Sequence, residues 1–509
     1  MFRTAIHTLL LLATLGVGSA WAFGFEDVAA LARQSAARPY EAPVPRLPAA
    51  LSGLSYDGLR DIRYRPDRAV WRTPGLPFEL QMFHLGGNQK LAVQLHEVHE
   101  GEARPLRYQS GDWDFGAHDF SRDGFGDIGH AGFRVHTALN GGDYKDEVVA
   151  FLGASYFRAL GRGQQYGLSA RALALDTVGG SAGEEFPRFT SFWLQRPAPG
   201  DRTLTIDALL DSPRASGAYR FVITPGDNTV IDVQMRLYLR GGTAPLAMLA
   251  MLGIAPLTSM YQHGENQPRA GDFRPEVHDS DGLLIAGGAE WQWRPLVNPA
   301  QAVASSFEVQ RLHGFGLMQR DRRFAAYEDI EAHYERRPSA WVEPLGEWGP
   351  GRVQLLMLPT PDETHDNIVA AWVPASQPAP GEPLDLAWRL HWQGEALQQP
   401  PGGWTVQSRR GRGLAAPPAG EVQYTLDFDG PALRALPPGA RVEAVASTPT
   451  ATARITEAHA WPHPHGGWRM LLRVQRQDPT QALELRAYLR HGTDALTETW
   501  TALIPQESP

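Results

Sequence analysis

Apolar and polar residues alternate with a period of two along most of this chain. The clearest case is the segment 231–239, in which every second residue is apolar. Because successive side chains of a strand point to opposite faces, the pattern predicts a strand with one buried face. The segment follows the apolar run 221–223 across Pro225-Gly226-Asp227-Asn228, which predicts a hairpin. Similar patterns predict strands at 78–85, 384–392, 422–428, 468–474, 483–489 and 496–504. The predicted fold class is all-β, in the form of sandwiches.

Helical periodicity is confined to a few places. Near the start, Val28, Leu31 and Ala32 fall on one face of a predicted helix, and a weaker pattern covers 327–334. The segment 244–256 is apolar on every side but too short to span a bilayer, so we expect a buried or partner-covered helix there. Nothing in the mature chain predicts a membrane-spanning protein.

The length of 509 residues predicts two domains, and two stretches rich in proline and glycine could separate them, at 376–383 and 398–403. The predicted strand 384–392 lies between the two stretches and could belong to either side. We place the linker at 394–403. The predicted domains are therefore 23–393, a large sandwich, and 404–509, a small one.

The N-terminus has the three parts of a secretory signal. Arg3 provides a positive start, residues 8–18 are apolar, and Ala20 and Ala22 are the small residues of a cleavage site. A buried N-terminal helix is the alternative. Residues 1–22 are predicted to be a signal peptide, with the mature chain beginning at Phe23.

Charge and composition exclude several functions. Lys+Arg 47 against Asp+Glu 56 gives a net charge of −9, which argues against a nucleic acid partner. The chain has no cysteine, so disulfides, thiol catalysis and cysteine-bound zinc are excluded. His96-Glu97-Val98-His99 lies in a predicted strand, where positions i and i+3 face opposite ways and cannot share a metal. No phosphate-binding loop, dinucleotide motif or G-x-S-x-G is present, and we predict no cofactor and no metal.

One region, 261–372, concentrates residues that could carry chemistry. Carboxylates, arginines and aromatic residues alternate there with turns, as a polysaccharide cleft requires: aromatic faces stack on sugar rings, and one carboxyl donates a proton to the glycosidic oxygen. The same residue types could equally form salt bridges in sandwich loops. The candidates for sugar binding include His278, Trp291, Trp293 and Trp341.

The chain resembles the osmoregulated periplasmic glucan biosynthesis proteins, the G and D family, and more closely the G type. The resemblance covers nearly the whole mature chain. It is carried by runs such as FLGASYFRALG (151–161), YGLSARALALDT (166–177), LLDSPRASGAYRF (209–221), PEVHDSDGL (275–283), EWQWRPL (290–296), HGFGLMQRDRRF (313–324), RPSAWVEPLGEWG (337–349) and HDNIVAAWVP (365–374).

The resemblance implies a galactose-mutarotase-like β-sandwich followed by an immunoglobulin-like β-sandwich, in the periplasm. It implies a role in making β-1,2-linked glucans and, for some members, an anomer-inverting β-1,2-glucanase or transglycosylase activity. Asp366 matches the family's general acid. Four further residues match positions that line the cleft or relay the proton: Asp279, Glu363, Tyr334 and Arg337.

A physical argument accompanies these assignments. A general acid must hold its proton near neutral pH, so Asp366 needs a raised pKa. Inversion needs a water on the far side of the sugar, and Asp279 is the candidate carboxylate to activate it. Both residues could instead serve only in turns. At the level of function, the alternative is a protein that binds nascent β-glucan for a membrane glucan synthase without cutting it.

Overall fold

The computed structural model describes residues 22–120, 125–178, 183–241, 252–394, 398–411 and 418–506. The predicted signal peptide falls almost entirely outside this range. The helices are α1 (Phe25–Ala36), α2 (Ala49–Ser52), α3 (Tyr56–Asp61), α4 (Phe324–Tyr327) and α5 (Pro431–Arg434). None of these helices combines the length and apolar character needed to cross a bilayer. Most of the remaining elements are strands, which confirms the all-β class.

The strands up to the predicted linker are β1 (Arg63–Tyr64), β2 (Phe78–Phe83), β3 (Gln94–His99), β4 (Glu102–Pro105), β5 (Trp113–Asp114), β6 (Gly132–Thr137), β7 (Asp146–Leu152), β8 (Tyr156–Ala159), β9 (Ser169–Arg171), β10 (Leu173–Leu175), β11 (Arg188–Gln195), β12 (Leu204–Asp211), β13 (Ala215–Thr224), β14 (Thr229–Leu239), β15 (Leu252–Ser259), β16 (Tyr261–His263), β17 (Val277–His278), β18 (Gly282–Gly287), β19 (Glu290–Pro295), β20 (Val303–Val309), β21 (Leu312–Met318), β22 (Ser339–Pro344), β23 (Gly351–Met357), β24 (Ile368–Pro374) and β25 (Pro383–Gln393). Those after it are β26 (Trp404–Arg410), β27 (Glu421–Asp429), β28 (Glu443–Ser447), β29 (Ala453–Pro462), β30 (Trp468–Arg476), β31 (Leu483–His491), β32 (Asp494–Ala495) and β33 (Thr499–Ile504).

Two large sheets enclose the main core. One runs β2-β6-β7-β8-β9-β15-β24-β23-β20, and the other contains the order β19-β18-β21-β22-β25-β14-β13-β12-β11-β3-β4. The predicted hairpin is confirmed: β13 and β14 pair antiparallel, with Phe221 opposite Val233. On β14 the side chains of Ile231, Val233 and Met235 are buried, as the alternation predicts. Strand β25 lies between β14 and β22, so segment 384–392 is part of the large sheet.

The C-terminal strands build a second, smaller pair of sheets. One has the order β26-β27-β30-β29, and the other has the order β28-β31-β33. The second continues the large sheet, because β33 pairs in parallel with β19 through Gln292–Thr499 and Trp293–Trp500. Side chains from both parts fill one shared core; Trp293 and Trp341 pack there with Leu426, Leu472 and Trp500.

The first predicted helix is present as α1, which packs on β12, β13 and β14. Its buried face consists of Phe25, Val28, Ala29, Ala32 and Ala36. Leu31, which the periodicity groups with Val28 and Ala32, is 37% exposed and lies outside this buried face.

The helix predictions for segments 244–256 and 327–334, in contrast, are not borne out where the structure describes these residues. The described part of the segment 244–256 is a strand, β15, whose residues are all buried; residues 242–251 lie outside the described range. A strand buried on both faces has no alternation, so periodicity alone cannot separate it from a buried helix. Segment 327–334 is not one helix, because Glu328 and His333 adopt positive φ values of 55° and 45° that break it.

Candidate functional site

The loop 358–367 joins β23 to β24, and Asn367 fixes its end. The Asn367 side chain accepts a hydrogen bond from the backbone N–H of Tyr261 at 2.8 Å. It donates to the backbone carbonyls of Tyr261 at 3.0 Å and Leu358 at 2.9 Å. These bonds tie the end of the loop both to Tyr261 of β16 and to Leu358 at the start of the loop. The position of the neighbouring Asp366 is therefore fixed relative to β16.

Asp366 opens into a cavity of about 600 Å³, a size suited to a small ligand. The residue as a whole is exposed, and it lines the cavity beside Thr364 and His365, where the surrounding protein displaces part of the water around its carboxyl. Burial raises the pKa of the Asp366 carboxyl, and the nearby Asp279 carboxylate raises it further. The arginines around it, with Arg158 foremost, oppose the shift without cancelling it. A raised pKa is the property that a general acid needs.

Asp279 forms a salt bridge with Arg337 immediately beside this carboxyl. Asp279 is only 4% exposed, and its backbone N–H donates to the backbone carbonyl of Met260 at 2.9 Å. The guanidinium of Arg337 lies 4.0 Å above the Tyr334 ring. Gly167 makes room for the Arg337 stem, because a Cβ there would lie 2.8 Å from the Arg337 Cβ. Three separate segments thus meet at one ion pair.

Glu363 occupies the outer part of the same loop. Its carboxylate accepts a hydrogen bond from the Tyr334 hydroxyl at 3.1 Å and another from Arg274 at 2.7 Å. Arg274 also binds Asp272 and Asp329, both at 3.0 Å, so it is held from three sides. Burial raises the pKa of the Tyr334 hydroxyl, which keeps it a hydrogen-bond donor to Glu363.

The structure therefore brings five of the predicted residues together. Asp366, Asp279, Glu363, Tyr334 and Arg337 are linked by direct contacts or by their electrostatic influence on one another. Catalytic roles for these residues remain predictions. Their grouping is nevertheless what a site acting on one bond requires.

The other predicted residues lie elsewhere. His278 is fully buried behind Asp279, with its ring nitrogens 2.9 Å from Gln319 Oε1 and 2.7 Å from Glu276 Oε2. Trp293 and Trp341 are buried in the core shared with the C-terminal strands, and the half-buried Trp291 stacks on Trp341 at 5.8 Å. The prediction that Trp293 and Trp341 bind sugar is therefore wrong, because both are buried where the two parts of the chain meet, and the role of the half-buried Trp291 stays a prediction.

Several residues of the cavity were not among the sequence candidates. Its lining also includes Tyr156 and Arg158 of β8, Tyr166, and Ser169 of β9. Arg158 donates to Ser169 Oγ at 2.7 Å. Its positive charge also acts on the Asp366 carboxyl and lowers the pKa of that group. These residues lie in the runs 151–161 and 166–177 that carry the family resemblance. Their position in those runs was the one sign in the sequence that they could belong to the site.

The fold and the cavity together define a class: an all-β sandwich protein in which carboxylates, arginines and tyrosines converge on one open cavity. The family described as "Periplasmic glucan biosynthesis protein, MdoG" matches residues 23–504. Given the extent of that match, the chain belongs to this family of periplasmic glucan biosynthesis proteins.

Individual relatives agree with the family match. A glucans biosynthesis protein G of Ralstonia nicotianae is 50% identical over 504 residues, covering 97% of this chain and 98% of the relative. The protein of the same name from Pseudomonas paraeruginosa is 44% identical over 521 residues, covering 99% and 98%. That from Pseudomonas putida is 44% identical over 493 residues, covering 95% and 87%.

Proposed function

We propose that the protein acts in the periplasm on the β-1,2-linked backbone of osmoregulated glucans. It cleaves or transfers the backbone with inversion at the anomeric carbon, and Asp366 is the general acid. Residues 1–22 direct export and are then cleaved from the exported chain. The glucan is the partner that the family match supports, and the membrane synthase is its expected source.

One observation carries the proposal: a carboxyl with a raised pKa opens into a cavity of about 600 Å³. Protonated Asp366 would give its proton to the glycosidic oxygen as the bond to the anomeric carbon breaks. A water or a sugar hydroxyl would attack from the opposite face, and its proton would pass to a second carboxylate.

Two other carboxylates near Asp366, those of Asp279 and Glu363, have different environments and therefore suit different roles. Asp279 is nearly buried and paired with Arg337, so it is well placed to hold the proton on Asp366 through its like charge. Its assignment as the group that activates the attacking water stays a prediction. Glu363, in the outer part of the loop, has a side chain that is 38% exposed and therefore stays open to solvent.

The test is the Asp366→Asn variant, which keeps the shape of the side chain and removes its proton. Purified wild type and variant are incubated with linear β-1,2-glucan, and the products are sized and quantified per folded molecule. We expect the turnover to fall by about 10²-fold or more, with glucan binding retained. Asp227→Asn, an exposed change in the β13–β14 turn, is the matched control and should leave turnover unchanged.

Two results would contradict the proposal. Equal turnover by wild type and Asp366→Asn would show that another group is the acid. Measurable binding of β-1,2-glucan by a wild type that neither cleaves nor transfers it would favour a non-catalytic protein that holds glucan for the synthase.

A further inference from the structure

A second group of carboxylates lies on the other side of His278, where the large sandwich meets the C-terminal strands. Glu265, Glu276 and Asp321 each place one oxygen so that all three lie within 4.8 Å of one another. They line a small cavity of about 20 Å³, with room for one water-sized particle. Asp281 and Thr405 line the same cavity. We refer to the three carboxylates as the interface acid cluster.

The charge of this cluster is only partly balanced. Glu276 is matched by the His278 ring at 2.7 Å, whereas Glu265 pairs with Arg409 at the longer distance of 3.9 Å and accepts a hydrogen bond from the backbone N–H of Ser408. Arg320 is nearby, yet both of its terminal nitrogens bind Glu498, at 2.7 and 2.9 Å. Several like charges in a buried space repel one another unless a proton or a cation lies between them.

The second observation concerns oxygens that have no hydrogen-bond partner. Thr405 is only 1% exposed, and its Oγ1 makes no hydrogen bond within the described part of the chain. The same holds for Glu265 Oε2 and for Asp281 Oδ1. Leaving a buried polar oxygen without a hydrogen-bond partner destabilises the folded protein, so three such oxygens around one cavity are well suited to bind a ligand.

The chemistry of these atoms selects the ligand. Every unpartnered atom is an oxygen, and three carboxylates together favour a hard cation over an anion or a soft metal. Mg²⁺ usually keeps several waters and few protein ligands, whereas Ca²⁺ accepts many protein oxygens in flexible geometry.

We propose that the interface acid cluster binds one Ca²⁺ ion, with carboxylate oxygens of Glu265, Glu276 and Asp321 and the hydroxyl of Thr405 as ligands. No metal motif is visible in the sequence, because these ligands come from three separate parts of the chain: the loop between β16 and β17, the loop after β21, and β26. The ion joins β26 of the C-terminal part to loops of the large sandwich. It also lies next to His278, whose partner Gln319 donates to the carbonyl of Tyr334 at 3.2 Å.

The test needs no glucan and is independent of the proposed activity. The whole mature protein is stripped with a chelator, and CaCl₂ or MgCl₂ is then titrated in a calorimeter. We expect one Ca²⁺ per chain with a Kd near 10⁻⁴–10⁻³ M or tighter, and weaker binding of Mg²⁺. Glu265→Gln should weaken Ca²⁺ binding at least tenfold. Glu102→Gln, on the exposed strand β4, is the matched control and should bind as wild type does.

Thermal unfolding provides a second measurement. Ca²⁺ should raise the Tm of wild type. Without Ca²⁺, Glu265→Gln should be at least as stable as wild type, because it removes one of the repelling charges. Thr405→Val, which keeps the shape of the side chain, replaces Glu265→Gln if that variant does not fold. Failure of wild type to bind Ca²⁺, or equal binding by wild type and the cluster variant, would overturn the proposal.

Discussion

Removal of the Asn367 side chain tests how the site is held in place. Asn367 is 2% exposed and makes three side-chain hydrogen bonds, to the N–H and carbonyl of Tyr261 and to the carbonyl of Leu358. In Asn367→Ala these three backbone groups lose a partner inside the protein. At about 1–3 kcal/mol for each buried group, and less for carbonyls that relax, the expected loss of unfolding free energy is about 3–5 kcal/mol. Such a loss is a large share of the stability of a typical domain.

The same variant should also lose function, because Asp366 is the preceding residue. The backbone bonds of Asn367 to Ser259 and Leu358 remain, at 3.1 and 2.8 Å, so β24 still forms while the loop end moves. A displacement of about 1 Å at a catalytic group can reduce the rate about 10²-fold.

Denaturant unfolding and glucan cleavage per folded molecule are measured on wild type, Asn367→Ala and His365→Ala. His365 lies in the same loop with its side chain 70% exposed, so its removal should change the unfolding free energy by less than about 0.5 kcal/mol. A stability of Asn367→Ala within that margin of wild type would refute the reasoning, as would an unchanged cleavage rate.

Three further predictions concern other parts of the molecule. Cleavage should fall as pH rises through the raised pKa of Asp366, because the acid loses its proton; Asp279→Asn should move this limb of the pH–rate profile to lower pH. Gly167→Ala should lower the unfolding free energy by about 1–3 kcal/mol, since its Cβ would meet Arg337, whereas Gly141→Ala, which has open space, should change little. Limited proteolysis should cut first within 394–403, and the two fragments should elute together in gel filtration because they share a core.

The strands with one buried face were predictable from the sequence, because their alternation records the side on which each residue lies. Strand β14 and its hairpin with β13 are examples. Strand β15 was not, since a strand covered on both faces has no polar face to reveal its period. Strand β15 also contains a proline, Pro256. The pairing with β24 is irregular between Ile254 and Leu257, where Ala255 has a φ of 48°, and this irregularity accommodates the proline.

The candidate site shows the same division. Asp366, Asp279 and Arg337 could be named because the family resemblance covers their motifs. Their grouping required the fold, since Gly167 and Arg337 are far apart in sequence and in direct contact in space. The prediction for Trp293 and Trp341 was wrong for a physical reason. A large flat ring packs equally well against a sugar and inside a protein core, so the residue type alone cannot distinguish the two.

The pairing of β33 with β19 has a consequence for how the protein is made. Synthesis proceeds from the N-terminus, so β33 (Thr499–Ile504) appears long after β19 (Glu290–Pro295). Until then β19 is an edge strand, and Trp293 and Trp341 lack the C-terminal side chains that cover them. An unpaired edge beside exposed aromatic surface is prone to association with other chains. The nascent protein should therefore depend on chaperones most in the interval before β33 appears and pairs with β19.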